Sequence, residues 1–154
     1  MARCRLRRRL GNRPGQVKYL LDTNVLSELR RSRPNPRVGA WMESVPLENL
    51  YISVLSLGEM TRGFVLLMEH EKARAEFYSK WMAAIREQYR TRTLPITGPI
   101  AEIWGATQGF ERRTLPTSDA LIGATARQHG LVLATRNRRD FAALGISLFD
   151  PWTD

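Results

Sequence analysis

The sequence predicts an α/β fold in which helices cover both faces of a parallel sheet. Short apolar segments alternate with longer amphipathic segments along the 154 residues, a pattern typical of parallel strands joined by crossover helices. The clearest unit lies near the C-terminus, where a helical segment ends at His129, Gly130 follows, and an apolar run begins directly afterwards. The chain length favours one domain.

Five short apolar segments are expected to form the strands of this sheet. Residues 17–21 form a short apolar run, and residues 50–53 are β-branched and aromatic in character, as strands favour. We predict the other strands at residues 94–96, 131–134 and 146–149.

Two short helices are expected between the first two strands. The first covers residues 23–31 and ends before the prolines Pro34 and Pro36, because proline interrupts a helix. Asn35 or Pro36 starts the next helix, which continues to about residue 44.

Two longer amphipathic helices follow, at residues 54–68 and 72–92, since apolar residues recur there at helical spacing. The buried positions that we predict for the earlier helix are Leu57, Met60, Phe64, Leu67 and Met68. Those for the later helix are Ala75, Tyr78, Met82, Ile85 and Tyr89.

Three further helices complete the pattern. One starts at Pro99, a residue tolerated in the first turn, and its inner face carries Ile100, Ile103, Trp104 and Thr107. Another runs from about residue 118 to His129, with Gly130 as the residue that ends it, and its small side chains predict close packing against the sheet. A short helix carries Asp140 and Phe141.

The net charge of +9 is concentrated at the N-terminus. Residues 1–16 hold six arginines and no acid, and subtracting those six charges leaves +3 for residues 17–154. We expect residues 1–16 to be a disordered basic extension of a domain that covers 17–154; the alternative is an arm that binds phosphates. Because the folded pattern starts there, we also expect Val17 to be the natural start of translation.

The composition excludes several classes of protein. Hydrophobic residues make up 43% and charged residues 25% of the chain, as in soluble globular proteins, and no apolar run approaches the roughly 18 residues of a membrane span. Cys4 is the only cysteine, and His70 and His129 are the only histidines. A zinc site built from cysteine and histidine is therefore not expected, and the protein is expected in the reducing cytoplasm.

Acidic and amide side chains stand at the edges of four apolar elements. Asp22 directly follows the first strand, Glu59 and Asp119 lie near the starts of predicted helices, and the pair Asn137 and Asp140 follows the strand at 131–134. The carboxyl ends of parallel strands face a common crevice. Unpaired carboxylates brought together there would repel one another, and a cation removes that cost. The pattern therefore predicts an oxygen-rich site for Mg²⁺ or Mn²⁺.

A purely structural interpretation is open for each acid. Asp22 or Thr23 can be the N-cap of the following helix, and Glu59 can form a surface ion pair with Arg62. Asp119 can occupy the first turn of its helix, where the dipole favours an anion.

The remaining polar residues around these acids also have structural interpretations. Thr117 or Ser118 can cap the helix that carries Asp119. Asn137, with Asp140 three residues later, matches the start of a helix.

Four separated motifs resemble those of the PIN-domain ribonucleases, in particular the VapC/FitB toxins of bacterial toxin–antitoxin pairs. They are LLDTNVLSE, YISVLSLGEMTRG, SDALIGATARQHGLVLATRN and FDPW, at residues 20–28, 51–63, 118–137 and 149–152. The resemblance implies a three-layer α/β/α domain with a five-stranded parallel sheet and an acidic pocket for Mg²⁺ or Mn²⁺.

The resemblance assigns the first three acids of that pocket to Asp22, Glu59 and Asp119. The fourth position is open, because Asn137 is an amide and Asp140 lies three residues beyond it. We expect Asp140 to help position the metal or its water, with Asn137 as a ligand or support. The site would then bind one cation, or a second one weakly.

Other implied roles concern residues around the pocket. Thr23, Asn24 and Thr135 would support the acids. The implied reaction is hydrolysis of an RNA phosphodiester, and the candidates for contacts with RNA phosphates are Arg62, Arg136, Arg138 and Arg139. The implied partners are a second copy in a homodimer, an antitoxin whose C-terminal segment covers the groove, and operator DNA bound only through that antitoxin.

Two other functions fit part of the pattern. A catalytically weak PIN-like module would bind RNA or its partner without cleavage, and the amide at Asn137 supports it. A phosphatase or phosphoacceptor domain would use Asp22 as nucleophile, but Asn24 stands where the phosphatase pattern expects a second acid.

Overall fold

Five short parallel strands form one sheet in the computed structural model, which describes residues 17–110 and 115–154. In chain order they are β1 (Tyr19–Leu21), β2 (Leu50–Ser53), β3 (Thr93–Leu94), β4 (Val132–Ala134) and β5 (Leu148–Phe149). Their spatial order is β3-β2-β1-β4-β5. The extension at residues 1–16 and the start at Val17 remain expectations, since residues 1–16 lie outside the described part.

Seven α-helices connect the strands in the described residues. They are α1 (Thr23–Leu29), α2 (Pro36–Ser44), α3 (Val54–His70), α4 (Lys72–Gln88), α5 (Gly98–Phe110), α6 (Thr117–His129) and α7 (Arg138–Phe141), with 3₁₀ turns at Leu47–Asn49 and Ala142–Leu144. None of the described helices is long and apolar enough to cross a lipid bilayer.

Strand β1 lies at the centre of the sheet and separates two hydrophobic clusters. Leu20 and Leu21 are both fully buried, but Leu20 packs with Ile122, Leu133 and Phe141, whereas Leu21 packs in the cluster that includes Ile52. Successive side chains of a strand point to opposite faces. The sheet is therefore covered on both sides, and the predicted three-layer α/β/α fold with a five-stranded parallel sheet is confirmed.

The strand register sets the level of the residues that follow the strands. Leu21 pairs with Ile52 of β2 and with Ala134 of β4, and the backbone N–H of Asp22 donates to the carbonyl of Ala134 at 3.0 Å. Asp22 and Thr135 therefore emerge side by side at the carboxyl edge of the sheet.

The predicted boundaries of helix α4 and strand β3 were wrong by a few residues. Helix α4 ends at Gln88 rather than at residue 92, because Tyr89 leaves the helical conformation. The N–H of Arg92 then donates to the carbonyl of Tyr89 at 2.8 Å and closes a turn. That turn lets the N–H of Ile52 donate to the carbonyl of Arg92. Strand β3 stops before Pro95, which has no N–H to donate to a neighbouring strand.

Several other predicted helices and strands were longer than the observed ones. Helix α1 ends at Leu29, and strands β1, β4 and β5 are shorter than expected, although each lies within its predicted segment. Strand β2, the start of α2 after Asn35 and the end of α6 at Gly130 agree with the prediction. Gly130 has φ of 62°, the left-handed conformation that ends a helix and that glycine tolerates best.

The predicted buried stripe of α3 extends too far along the helix. Met60 is buried and Leu57, Phe64 and Leu67 are half-buried, but Met68 is 51% exposed. Met68 lines an open cavity together with Phe64 and with Lys72 and Ala75 of α4, so it lies at the edge of the contact between the two helices. By contrast, the five apolar residues predicted to face inward from the following helix are all buried.

Helix α6 starts without the predicted side-chain cap. Its N-cap is Pro116, directly before the predicted capping residues Thr117 and Ser118, and no side-chain cap bond is made there. Its predicted close packing is present at Gly123, where an added Cβ would lie 2.2 Å from Cδ1 of Leu144. The neighbour there is the turn Ala142–Leu144, so the tightest contact is with that turn.

Candidate active site

Asp22 is the most constrained side chain at the carboxyl edge of the sheet. It caps α1 by accepting the N–H of Thr23 at 2.7 Å on Oδ1, and its Oδ2 accepts the amide of Asn24 and the hydroxyl of Thr135, each at 2.7 Å. The residue is only 6% exposed. Asp22, rather than Thr23, is therefore the N-cap, and three donors fix the direction of its carboxylate.

Asn24 and Thr135 tie the start of α1 to the loop after β4. The amide of Asn24 also reaches Thr135 Oγ1 at 3.1 Å, and its Oδ1 accepts the N–H of Arg136 at 3.4 Å. Thr135 is fully buried and accepts the N–H of Asn137 at 2.9 Å. These bonds hold two parts of the chain that are more than a hundred residues apart in one arrangement.

The charges of two other acids act on Asp22. Burial raises the pKa of the Asp22 carboxyl to about 6, against the lowering effect of the bonds from Thr135 and Thr23, and the charges of Asp119 and Glu59 raise it further. A carboxylate responds to another charge in this way only at short range or through a poorly screened medium. The structure therefore places Asp22 in one electrostatic neighbourhood with Glu59 and Asp119.

Asp119 links this neighbourhood to the fourth predicted acid. It lies in the first turn of α6 and is half-buried. Burial raises the pKa of the Asp119 carboxyl, and the charges of Glu59 and then of Asp140 add to the effect. Helices α3 and α6 thus each contribute one carboxylate that acts on Asp22, and α7 contributes one that acts on Asp119.

Asn137 holds Asp140 by a short hydrogen bond. Its amide nitrogen donates to Oδ2 of Asp140 at 2.5 Å. Asn137 is the N-cap of α7 by position, yet its side chain accepts no bond from the helix. The predicted helix-start pattern is therefore present as a contact between the two side chains and not as a backbone cap.

Glu59 borders an open cavity beside the acids. The cavity has a volume of about 580 Å³, and its walls include Gly58, Glu59, Arg62 and Ser118. No ion pair between Glu59 and Arg62 is found in the described chain, so the structural interpretation of Glu59 as a partner of Arg62 was wrong. Further along α3, Gly63 packs against the side chain of Tyr78. A Cβ atom added at Gly63 would lie 3.1 Å from the hydroxyl oxygen of Tyr78.

Ser118 was not predicted to be a site residue. It was interpreted as a helix cap, but it lines the cavity together with Glu59. The signal that could have found it was its position directly before Asp119, in a first turn whose N–H groups have no partners within the helix.

The acids are suited to a hard cation but do not form a closed set of ligands. In the ranges 17–110 and 115–154, no three side chains of the types His, Cys, Asp and Glu converge closely enough to hold a metal ion. Carboxylates without a positive charge between them repel one another. This repulsion is consistent with acids whose charges shift each other's pKa although their side chains are not in contact. Their oxygen donors match the preference of Mg²⁺ and Mn²⁺.

The four arginines expected to contact RNA differ in the contacts that they already make within the protein. Arg62 and Arg139 are exposed. The guanidinium of Arg136 lies 5.6 Å from the centre of the Trp152 ring. Arg138 donates to both carboxylate oxygens of Asp154, at 2.7 and 2.9 Å, so its charge is already compensated.

A protein-family model for the PIN domain matches residues 19–146. The chain belongs to the PIN domain family. It is 36% identical to Toxin FitB of Neisseria gonorrhoeae over 138 residues, which cover 88% of this chain and 99% of that protein. It is 30% identical to VapC ribonuclease Y4jK of Sinorhizobium fredii over 136 residues, or 86% of this chain and 96% of the relative.

A solved structure agrees with these relatives. The crystal structure of FitAcB from Neisseria gonorrhoeae superposes with a TM-score of 0.81 at 34% identity, and the match covers 88% of this chain and 99% of that one. The predicted resemblance to the VapC/FitB group of PIN domains is confirmed.

Proposed function

We propose that this protein is an endoribonuclease toxin that hydrolyses RNA phosphodiester bonds with the help of Mg²⁺ or Mn²⁺. The observation that carries the proposal is the mutual electrostatic influence of Asp22, Glu59, Asp119 and Asp140 at the carboxyl edge of the sheet. Membership of the PIN family, with relatives called a toxin and a ribonuclease, supports the same reaction class.

The residues of the site divide into three tasks. Asp22, Glu59 and Asp119 would hold the cation, and Asp140, positioned by Asn137, would complete its surroundings. Thr23, Asn24 and Thr135 fix the carboxylate of Asp22. When bound, the cation would supply Lewis-acid stabilisation of negative charge on the phosphate.

The substrate is proposed to enter through the cavity beside Glu59. Its walls combine a cationic side chain, Arg62, with a hydroxyl group, Ser118, and such groups bind phosphate oxygens. Arg136 and Arg139 are further candidates for phosphate contacts. Arg138 is the weakest candidate of the four, because a contact with RNA would compete with its bond to Asp154.

The proposal is tested by cleavage of RNA by the purified full-length protein. We expect cleavage with Mg²⁺ or Mn²⁺, loss of cleavage in EDTA, and a loss of at least about a hundredfold in Asp22→Asn and Asp119→Asn. Glu102→Gln, which changes an exposed acid of α5, is the matched control and should cleave like the unmodified protein. Thermal unfolding of each variant checks that the fold is retained.

Two outcomes would contradict the proposed reaction. Cleavage that survives both substitutions would assign the activity to another protein in the preparation. Binding of RNA without cleavage in either metal would favour the alternative, a PIN-like module that binds RNA or its partner. The amide at Asn137, which brings no charge to the fourth position, supports that alternative.

The proposed partners follow from the same family membership. We propose that the chain forms a homodimer, that a cognate antitoxin neutralises it by covering the acidic groove, and that operator DNA binds only through the antitoxin. Co-expression with the product of a short neighbouring gene should give a complex without nuclease activity. Sedimentation of the isolated chain as a monomer would contradict the homodimer.

A further inference from the structure

A second cavity, outside the acidic site, is lined mainly by arginine. It has a volume of about 590 Å³, and its walls are formed by Arg30, Arg31, Ser32, Arg33, Arg74 and Phe77. The first four residues follow α1, and the last two lie in the first turns of α4. Helix α1 begins beside Asp22 and has seven residues, so this basic pocket lies about 10 Å further along its axis.

The positive charge of the basic pocket is only half compensated. Arg31 pairs with Glu28 at 3.3 Å, and Arg74 pairs with Glu71 at 2.5 Å. Arg33 has no ion pair or hydrogen bond within residues 17–110 and 115–154, and it is exposed. The pocket therefore presents an excess of positive charge to any ligand.

Arg30 is held in place by aromatic rings and not by an acid. Its guanidinium carbon lies 4.6 Å from the centre of the Tyr78 ring and 5.9 Å from that of Trp81. Its Nε is buried and has no hydrogen-bond partner in the described residues. This arrangement keeps a cation rigid while its charge remains uncompensated by protein groups.

Phe77 gives the basic pocket an apolar face. It is 62% exposed, whereas its neighbour in sequence, Tyr78, is buried in the core. An exposed aromatic ring beside several arginines is the combination by which proteins bind single-stranded nucleic acid, since bases stack on the ring and phosphates contact the cations.

We propose that the basic pocket binds a single-stranded segment of RNA, with a phosphate against Arg33 and a base stacked on Phe77. This rests on the proposed function, because the segment would flank the bond cleaved at the acidic site. An acidic protein segment would account for the arginines but gives no role to the exposed ring. RNA uses both features.

The test measures binding separately from cleavage. A fluorescein-labelled single-stranded oligouridylate is titrated with the full-length protein carrying Asp119→Asn, and anisotropy gives the affinity. Adding Arg33→Ala and Phe77→Leu should weaken binding by about tenfold or more. Arg33→Ala alone should reduce the slope of log K against log salt by about 0.7, the value for one phosphate contact on a single strand.

Matched variants separate this site from general charge effects. Phe77→Tyr keeps the ring and should retain the affinity. The control carries Arg127→Ala and Leu66→Ala, which remove an exposed arginine of α6 and an exposed apolar residue of α3, and it should bind like its parent. All variants keep the arginines of residues 1–16, so the contribution of that segment cancels.

The possible results are distinct from those of the cleavage assay. Unchanged affinity in the pocket variant, or an equal loss in the control, would overturn the inference. So would unchanged RNA binding together with weakened binding of the antitoxin, because the pocket would then belong to a protein partner. If the unmodified protein fails to cleave RNA but the pocket variant still loses affinity, the proposed cleavage fails, whereas the binding of RNA at the basic pocket is retained.

Discussion

Interactions of two kinds shift the pKa of the Asp22 carboxyl in opposite directions. Burial and the charges of Asp119 and Glu59 favour its protonated form, while bonds from Thr135 and Thr23 favour the carboxylate. Burial is the largest of these effects, so the pKa lies at about 6 instead of the ordinary 3.8. The bonds from Thr23, Asn24 and Thr135 fix the orientation of the carboxylate.

This raised pKa makes the stability of the metal-free protein depend on pH. The folded protein binds the proton of Asp22 more tightly than the unfolded chain, so stability should fall as pH rises from about 4 to about 6. The loss due to this group is at most about 3 kcal/mol. Asp119, whose pKa is also raised, acts in the same direction.

Thermal unfolding in EDTA across this pH range checks the expectation. Asp22→Asn should flatten the fall of the unfolding midpoint, since the variant has no proton to lose there. Glu102→Gln should keep the slope of the unmodified protein. An unchanged slope in Asp22→Asn would mean that another group controls the stability.

Among the elements, helix α7 is held at its start by contacts on two sides. Thr135 accepts the N–H of Asn137 near the strand, and Arg138 forms its paired bonds with Asp154. Asp154 also accepts the N–H of Asp150 at 2.9 Å. The C-terminal residues thus hold α7, the helix that carries Asp140.

We therefore expect Asp154→Ala to impair cleavage more than stability. Loss of the anchor should lower kcat by about tenfold through misplacement of Asp140, with KM nearly unchanged. Because this ion pair is partly exposed, the free energy of unfolding should change by no more than about 1 kcal/mol. Glu87→Ala, which breaks the exposed pair with Arg90, is the control and should leave kcat unaltered.

The contact between α6 and the turn before β5 gives a prediction about packing. In Gly123→Ala the new methyl group would overlap Leu144, which is buried. We expect a loss of about 1–3 kcal/mol in the free energy of unfolding, measured with urea. Gly105→Ala has open space around its Cβ and should be neutral or slightly stabilising. A smaller cost of Gly123→Ala when it is introduced together with Leu144→Ala than when it is introduced alone would identify the overlap as the cause.

At the scale of the whole molecule, the acids come from four separate parts of the chain. Mutual repulsion at this edge of the sheet opposes folding, and a cation that binds only the folded protein relieves it. Binding of this kind stabilises by about 2.7 kcal/mol when the ligand is at a hundred times its Kd.

Mg²⁺ should accordingly raise the unfolding midpoint at pH 7.5. The increase should be largely lost in Asp22→Asn and in Asp119→Asn, and retained in Glu102→Gln. Differential scanning calorimetry with and without the ion measures this without any assay of activity. Equal increases in all three variants would place the ion elsewhere on the protein.

Much of the fold was predictable because its signals are local. Three signals act within a few residues of their own position: the apolar run that ends at Leu21, the proline at the start of α2 and the glycine that ends α6. The exposure of Met68 was not predictable in this way, because periodicity shows which side of a helix is apolar but not how far the neighbouring elements extend along it.

The order of strands and helices along the chain was predictable from the sequence, which also indicated which acids stand at element edges. Only the folded structure shows that Thr135 contacts Asp22 and that Arg138 contacts Asp154. It likewise shows that Ser118 shares a cavity with Glu59, and that Arg33 shares another with Phe77. The physical reason is that helical and strand periodicity depend on backbone geometry over a few residues. Contacts between distant segments depend instead on how the sheet orders its strands and where each helix packs.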